Sequence, residues 1–220
     1  MNNHPVAVLR GSLAEEVANS VTHGVGIALS IAGLVVLVAW AALHGGALAV
    51  TAASVFGTTL ILVYTASTLY HAIPIAAAAP VLRALDHIAI FLLIAGTYTP
   101  FTLLALPPAW GWSLFTAIWA LAIAGIVMEL ACPRQGRKLP AAFYVAMGWL
   151  AVVAIVPLKA SLPTSGFALL LAGGVAYTFG VPFYLLHRMR WHHAVWHVFV
   201  LAGSVLQYFA VLLYVVPGAH

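Results

Sequence analysis

Three histidines stand close together at the start of the last apolar stretch of the chain, in RMRWHHAVWHVFV: His192, His193 and His197. An imidazole inside an apolar segment loses its contacts with water, so it must be paired, protonated, bound to a metal or exposed at the edge. His193 and His197 are four residues apart, so on a helix both project from one face, about one turn apart. Two imidazoles at this spacing can reach one zinc ion.

A second pair with the same spacing closes the second apolar stretch, YTASTLYHAIP, where Ser67 precedes His71 by one helical turn. Asp86 opens the next stretch, LRALDHIAIF. If these segments are membrane helices, all of these side chains lie in one layer. A histidine from another helix then completes three protein ligands, and a fourth position stays open, as in catalytic zinc sites. Asp86 would ligate the metal directly or accept a hydrogen bond from its bound water.

The remaining histidines are weaker candidates. His192 points roughly 100° away from its neighbour on a helix, which favours an interfacial position. His187 belongs to a basic loop, and His87 is a reserve candidate beside Asp86. His23, in NSVTHGVGIALS, lies at a similar depth and could belong to the second shell. An isolated pair of histidines at a membrane edge can also arise by chance, so an interfacial histidine cluster without metal is the alternative.

The composition indicates which class of protein positions these residues. The chain has 220 residues, of which 65% are hydrophobic and only 5% are charged. A soluble domain needs about a quarter of its residues charged, so we expect an integral membrane protein. The net charge of +4 is scattered in short clusters, which argues against nucleic acid as a partner. The single cysteine, Cys132, excludes an internal disulfide and a cysteine-rich zinc site.

Seven apolar stretches are long enough to cross a bilayer, and the short connections leave no room for a second domain. We therefore predict an all-α integral membrane protein with one domain, residues 1–220, whose first helix is retained rather than cleaved as a signal peptide. The predicted helices lie near 21–43, 47–70, 85–105, 110–131, 140–158, 165–186 and 193–216.

The distribution of Lys and Arg predicts the orientation. Basic residues precede the first helix and fall in every second loop after it, whereas only Lys159 lies in the opposite set of loops. The positive-inside rule then places the N-terminus in the cytoplasm and the C-terminus outside. The shared layer of Ser67, Asp86 and the histidines would face the cytoplasmic side of the inner membrane of a bacterium.

Four pieces of the sequence resemble one family. EEVANSVTHGVG at 15–26, STLYH at 67–71, LDHIAIFLLIAGTYTPF at 85–101 and HHAVWHVFV at 192–200 resemble the bacterial hemolysin III proteins. Those proteins belong with the progestin and adipoQ receptors and are more distantly similar to the alkaline ceramidases. The resemblance implies a zinc ion bound by His71, His193 and His197. It also implies that Asp86 contacts the metal or its water and that Ser67 lies close by.

Two functions are open from the sequence. One is a zinc-dependent hydrolase of a lipid amide or ester that serves membrane lipid homeostasis. In such a hydrolase, Asp86 would be the general base, and Ser67 would stabilise the oxyanion by donating a hydrogen bond. The other is a non-enzymatic sensor or regulator of the membrane, or a cytolytic membrane protein, with a structural zinc. In both, a membrane lipid is the expected substrate or ligand, and the sequence names no protein partner. Iron or manganese could also fit three histidines and a carboxylate.

Overall fold

The computed structural model describes residues 11–131 and 141–218, and no strand occurs among them. Seven of its helices are long and apolar enough to cross a membrane. They are α1 (Leu13–His44), α2 (Gly46–Ala72), α3 (Ala79–Ala105), α4 (Pro108–Ala131), α5 (Ala141–Ser161), α6 (Thr164–Leu185) and α7 (His192–Gly218). The prediction of an all-helical membrane protein with seven spans is confirmed. Cys132 lies outside the described ranges, and so do four of the basic residues on which the predicted orientation depends: Arg10, Arg134, Arg137 and Lys138.

Helix α1 begins at Leu13, eight residues before the predicted apolar segment, because a capping box fixes its start. The Ser12 hydroxyl oxygen accepts from the Glu15 backbone N–H at 3.3 Å, and the Glu15 carboxylate accepts from the Ser12 backbone N–H at 2.9 Å. These two bonds satisfy backbone groups that a helix start leaves open. The polar turns that follow carry Glu16 and Asn19 into the bundle.

The connections between the first three helices are tight. Gly46 takes a φ of 68° between α1 and α2, a conformation that residues with a Cβ rarely adopt. Helix α3 begins at Ala79 rather than near 85, with Pro80 in its first turn, where a missing N–H costs nothing. Connections of this length make successive helices antiparallel, so alternate helix ends meet at the same side of the bundle.

Three of the helices depart from regular α geometry. After Pro100, α3 continues as a π-helical turn, Phe101–Ala105, and α7 contains another at Val211–Val215. Helix α5 changes to a 3₁₀ segment at Leu150–Ala154. Tyr98 satisfies two backbone groups at this irregular segment. Its hydroxyl donates a hydrogen bond to the Gly148 carbonyl and accepts one from the Ala151 N–H, both at 2.8 Å. Backbone groups freed inside a membrane need such partners.

The apolar side chains divide between a packed interior and an outer surface. Tyr64, Phe56 and Phe91 are almost fully buried where α2 and α3 meet their neighbours. Leu43 and Val156, in contrast, are more than three-quarters exposed. An apolar outer surface is unfavourable in water and suits lipid contact. With seven apolar helices, this is the surface of an integral membrane protein.

One end of the bundle collects the residues of interest. Helices α1, α3, α5 and α7 begin there, and α2, α4 and α6 end there; we call it the site end. His71 lies in the last turn of α2, Asp86 near the start of α3, and His193 and His197 in the first turns of α7. The antiparallel order therefore produces the shared layer that the sequence predicted.

Candidate metal centre

Three imidazoles converge at the site end. Each of His71, His193 and His197 offers a ring nitrogen, and these three atoms lie within 4.8 Å of one another. The ring centroids are 4.9 Å apart for His71 and His193, 4.5 Å for His193 and His197, and 5.2 Å for His71 and His197. Two of the rings are buried and that of His193 is partly buried. The three side chains can therefore hold one metal ion.

Helix α7 positions two of the three rings. Their spacing of four residues places both on the face of α7 that turns toward α2. The residue before the helix, Trp191, has a φ of 62°, which is uncommon for a residue with a side chain. Its backbone N–H donates to the Glu15 carboxylate at 3.1 Å. The start of α7 is thereby tied to the start of α1.

Helix α1 supplies the hydrogen bonds behind the histidines. The Glu16 carboxylate lies 2.7 Å from Nδ1 of His71. Since a carboxylate only accepts, Nδ1 of His71 carries the proton. The backbone carbonyl oxygen of Asn19 accepts a hydrogen bond from Nδ1 of His197 at 3.2 Å. Histidines that bind metals usually donate their other ring N–H to a carboxylate or a backbone carbonyl in this way.

These hydrogen bonds leave the Nε2 atoms of His71 and His197 to carry lone pairs. Nε2 of His71 is buried and has no hydrogen-bond partner within residues 11–131 and 141–218. A buried nitrogen acceptor without a partner costs free energy unless something else binds it. The Asn19 side-chain amide also approaches Nδ1 of His71, at 3.4 Å, but the contact with Glu16 is much shorter and decides the tautomer. The donor set fits a metal ion bound through Nε2 atoms.

Glu16 and Asn19 were not among the site residues predicted from the sequence. A signal was present, because Glu16, Asn19 and His23 are separated by three and four residues and so share one face of α1. What the pattern could not show is that this face packs against the ends of α2 and α7.

His23 lies against the cluster rather than in it. Its ring stacks on that of His197 with centroids 3.5 Å apart and planes inclined by 14°. Tyr64 also meets the ring of His23 edge-on, with centroids 5.0 Å apart. Within the described residues, neither ring nitrogen of His23 has a hydrogen-bond partner. His23 thus fixes the ring of His197 by stacking, in the layer for which it was predicted.

Ser67 and Asp86 line the same cavity as the three histidines. Ser67 is 2% exposed and lies one turn before His71 on α2. Asp86 is partly buried on α3, outside the group of three whose donor atoms lie within 4.8 Å. The structure brings both predicted residues to the wall of the site, and their chemical roles remain predictions.

Two of the weaker candidate histidines, His192 and His87, have partners elsewhere. His192 donates from Nδ1 to the Phe183 carbonyl oxygen at 3.0 Å, between α6 and α7. His87 faces Glu129 on α4, with Nδ1 and Oε1 3.4 Å apart. The side chain of Glu129 is 2% exposed, so this pair joins α3 to α4 inside the bundle. Neither His192 nor His87 belongs to the cluster of three imidazoles.

The cluster opens onto a cavity of about 670 Å³. Volumes in this range are those of sites for small molecules and cofactors. Beyond the histidines, the cavity runs between α2, α3, α6 and α7, where apolar and aromatic side chains form its wall. These include Val63, Ile90, Leu93, Tyr177, Val200 and, deepest along α7, Gln207. The cavity therefore joins the cluster of imidazoles to a largely apolar wall.

The sequence is similar to those of known proteins. The sequence pattern described as Haemolysin-III related matches residues 12–208. Hemolysin-3 of Bacillus cereus is 47% identical over 205 residues, which cover 93% of this chain and 94% of that protein. The Hemolysin-3 homolog of Bacillus subtilis (strain 168) is 43% identical over 205 residues, with 93% and 96% covered. The monocyte to macrophage differentiation factor of Homo sapiens is 25% identical over 130 residues, 59% of this chain and 53% of that protein. The chain belongs to the haemolysin III-related family.

Proposed function

We propose that the protein is a zinc-dependent hydrolase of a lipid amide or ester, embedded in the inner membrane of a bacterium and serving membrane lipid homeostasis. One observation carries the proposal. Three imidazoles that can share a metal form the wall of a cavity of about 670 Å³ that Ser67 and Asp86 also line. Metal ligands, a carboxylate and a hydroxyl around one space are the parts that hydrolysis of a carbonyl compound needs.

Zinc is the metal that this donor set favours. Catalytic zinc sites use three protein ligands and keep one further position for water or substrate, and three histidines beside a cavity would suit such a site. A bound zinc ion would polarise the carbonyl group and make water a better nucleophile near neutral pH. His71, His193 and His197 would hold it, while Glu16 and the Asn19 carbonyl keep two of these rings in the required tautomer.

The residues around the metal would carry the proton transfers. Asp86 would accept a proton from the attacking water as the oxygen of that water bonds to the carbonyl carbon. Ser67 would donate a hydrogen bond to the oxyanion that develops. The bond to the leaving nitrogen or oxygen then breaks, and Asp86 returns the proton to the leaving group. The products are a fatty acid and an amine or alcohol.

The arginines at the site end support a cytoplasmic location for the metal centre. Arg83, Arg188 and Arg190 all belong to this end, and Lys159 lies at the opposite end of α5. Positive residues accumulate on the cytoplasmic side of bacterial membrane proteins. A lipid would then enter from the cytoplasmic leaflet, with its head group at the site end and its chain in the cavity.

A non-enzymatic role is the second candidate, and the links between helices favour it. The three imidazoles come from α2 and α7, and α1 is tied to both through Glu16 and Asn19. Zinc in this position would fasten three helices together, so that the protein could report on or regulate the state of the membrane. The names of the Bacillus relatives record a haemolytic association, which would fit a cytolytic membrane protein of the same kind.

One experiment on purified protein in detergent distinguishes the enzymatic role from the non-enzymatic one. Metal content is measured by elemental analysis, and release of fatty acid from lipid amides and esters is followed with and without a zinc chelator. Near one zinc per chain and chelator-sensitive release support the hydrolase. One zinc without release from any lipid, but with a melting temperature that falls on chelation, supports the structural role. Absence of any metal from the purified protein would contradict both.

A further inference from the structure

Three arginines surround the opening of the cavity, and we call them the rim. Arg83 comes from α3, whereas Arg188 and Arg190 come from the loop between α6 and α7. All three are exposed to solvent. The described part of the chain has four lysine and arginine residues, and only Lys159 lies away from this cavity. The positive charge is therefore concentrated where a ligand would enter.

Contacts within the protein hold the rim in place. The Nε–H of Arg83 donates to the Tyr70 hydroxyl at 3.1 Å, which leaves the terminal nitrogens of its guanidinium for other partners. The loop that carries the other two arginines is closed by a turn in which the Met189 N–H donates to the Leu186 carbonyl at 3.0 Å. Trp191, at the end of this loop, is held by the Glu15 carboxylate.

Three carboxylates, Glu15, Glu16 and Asp86, line the same cavity as the rim arginines. Glu16 faces His71, deeper in the cavity. The Glu15 carboxylate accepts hydrogen bonds from the backbone N–H groups of Ser12 and Trp191. Arg190 is the rim arginine whose charge acts on Glu15. Arg188 makes no hydrogen bond or ion pair with another residue of the described ranges. The positive-inside rule explains basic residues in these loops, but it does not require that they line a cavity.

We propose that the rim binds the phosphate of a membrane lipid, so that the lipid acted on at the metal centre carries a phosphate head group. This rests on the proposed function, because it names the substrate class of that site. A guanidinium binds phosphate with paired, charge-assisted hydrogen bonds, and cytoplasmic basic pockets are suited to anionic lipid head groups.

The depth of the rim agrees with this assignment. Arg190 lies in the loop two residues before α7 begins, His193 is the second residue of that helix, and both line the cavity. A phosphate held at the rim would therefore place an acyl carbonyl, a few covalent bonds away in a phospholipid, near the histidines. The acyl chain would continue between α2, α3, α6 and α7 along the apolar wall of the cavity.

The test measures lipid binding and does not depend on turnover. Wild-type protein in detergent is incubated with equal amounts of phosphatidylglycerol and of a galactosyl diacylglycerol that has the same acyl chains. The lipid retained after size-exclusion chromatography is then quantified by mass spectrometry. We expect the phospholipid to dominate in the wild type and its excess to fall about tenfold in the double variant Arg188→Gln, Arg190→Gln.

The matched control is Arg134→Gln, Arg137→Gln, which removes the same charge from another loop in the sequence and should keep the excess. Equal retention of the two lipids by the wild type would overturn the proposal, and so would an equal loss in both double variants.

Inorganic phosphate alone, tested by calorimetry, should bind far more weakly than the phospholipid. Equally tight binding of inorganic phosphate would assign the rim to a free anion instead. Selective lipid retention without hydrolysis would support the rim and contradict the enzyme.

Discussion

The carboxylate of Glu16 lies 2.7 Å from Nδ1 of His71, although the two residues belong to different helices and are 55 positions apart. The contact fixes the tautomer of His71 and leaves the lone pair on its buried Nε2, which has no hydrogen-bond partner among the described residues. It also ties α1 to the end of α2. A residue with no place in the predicted ligand set therefore helps to determine whether that set can bind a metal.

Replacing Glu16 tests this relationship. Glu16→Gln keeps the size of the side chain and an oxygen acceptor but removes the charge that makes His71 a stronger ligand. We expect zinc affinity to fall about 10- to 100-fold, the range seen for such partners of ligating histidines. Competition with a chromophoric chelator measures it. Glu129→Gln, which changes a carboxylate that faces a histidine outside the cluster, is the control and should leave the affinity unchanged. An equal loss in both variants would contradict the special role of Glu16.

Removing a ligand should abolish metal binding. In His197→Ala the three-imidazole set loses its most buried member, so elemental analysis should find close to no zinc after dialysis, against about one per chain in the wild type. His192→Ala is the matched control, since that ring is bonded to the Phe183 carbonyl. Full metal content in His197→Ala would refute the assignment of the cluster.

Replacing Asp86 tests whether this residue acts in catalysis or in metal binding. If it acts as the general base, Asp86→Asn should keep the zinc and lower turnover by about 10²- to 10⁴-fold, the usual contribution of such a residue. Elemental analysis and fatty-acid release measured on the same preparation give both values. Zinc lost together with turnover would instead make Asp86 a direct ligand, and unchanged turnover would remove it from the mechanism.

The packing around His23 predicts a contrast between two glycines of α1. A Cβ on Gly26 would lie 2.7 Å from the Tyr64 ring, whereas a Cβ on Gly24 meets nothing within 4 Å. Gly26→Ala should therefore cost about 1–3 kcal/mol of stability through overpacking. Gly24→Ala should be neutral or stabilise by about 0.5–1 kcal/mol, as alanine does in a helix. Thermal melting in detergent distinguishes them, and equal melting temperatures would contradict this packing.

The orientation is open to a direct labelling test. In a background in which Cys132 is replaced by alanine, single cysteines are introduced by Lys159→Cys or Arg188→Cys. The positive-inside rule predicts that an impermeant maleimide labels the first variant in intact cells and the second only after permeabilisation. The reverse pattern would place the metal centre on the outer side.

Helix count and class followed from the sequence because a bilayer imposes a simple condition: each span needs roughly 20 apolar residues, and this chain has seven such stretches. Helix ends were harder to predict, because polar caps and first-turn prolines extend helices beyond the apolar core. The start of α1 at Leu13 depends on the bond between Ser12 and Glu15, and α3 begins at Ala79 ahead of its apolar part.

The sequence alone also determined which residue types share a layer. Antiparallel order carries Ser67, His71, Asp86, His193 and His197 to one end whatever the details of packing. Only the tertiary structure decided which side chains touch. It placed Glu16 and the Asn19 carbonyl behind two of the histidines, stacked His23 on His197, and paired His87 with Glu129. Depth in a membrane follows from position along a helix, but contact depends on the rotation and approach of neighbouring helices, which arise from packing across the whole bundle.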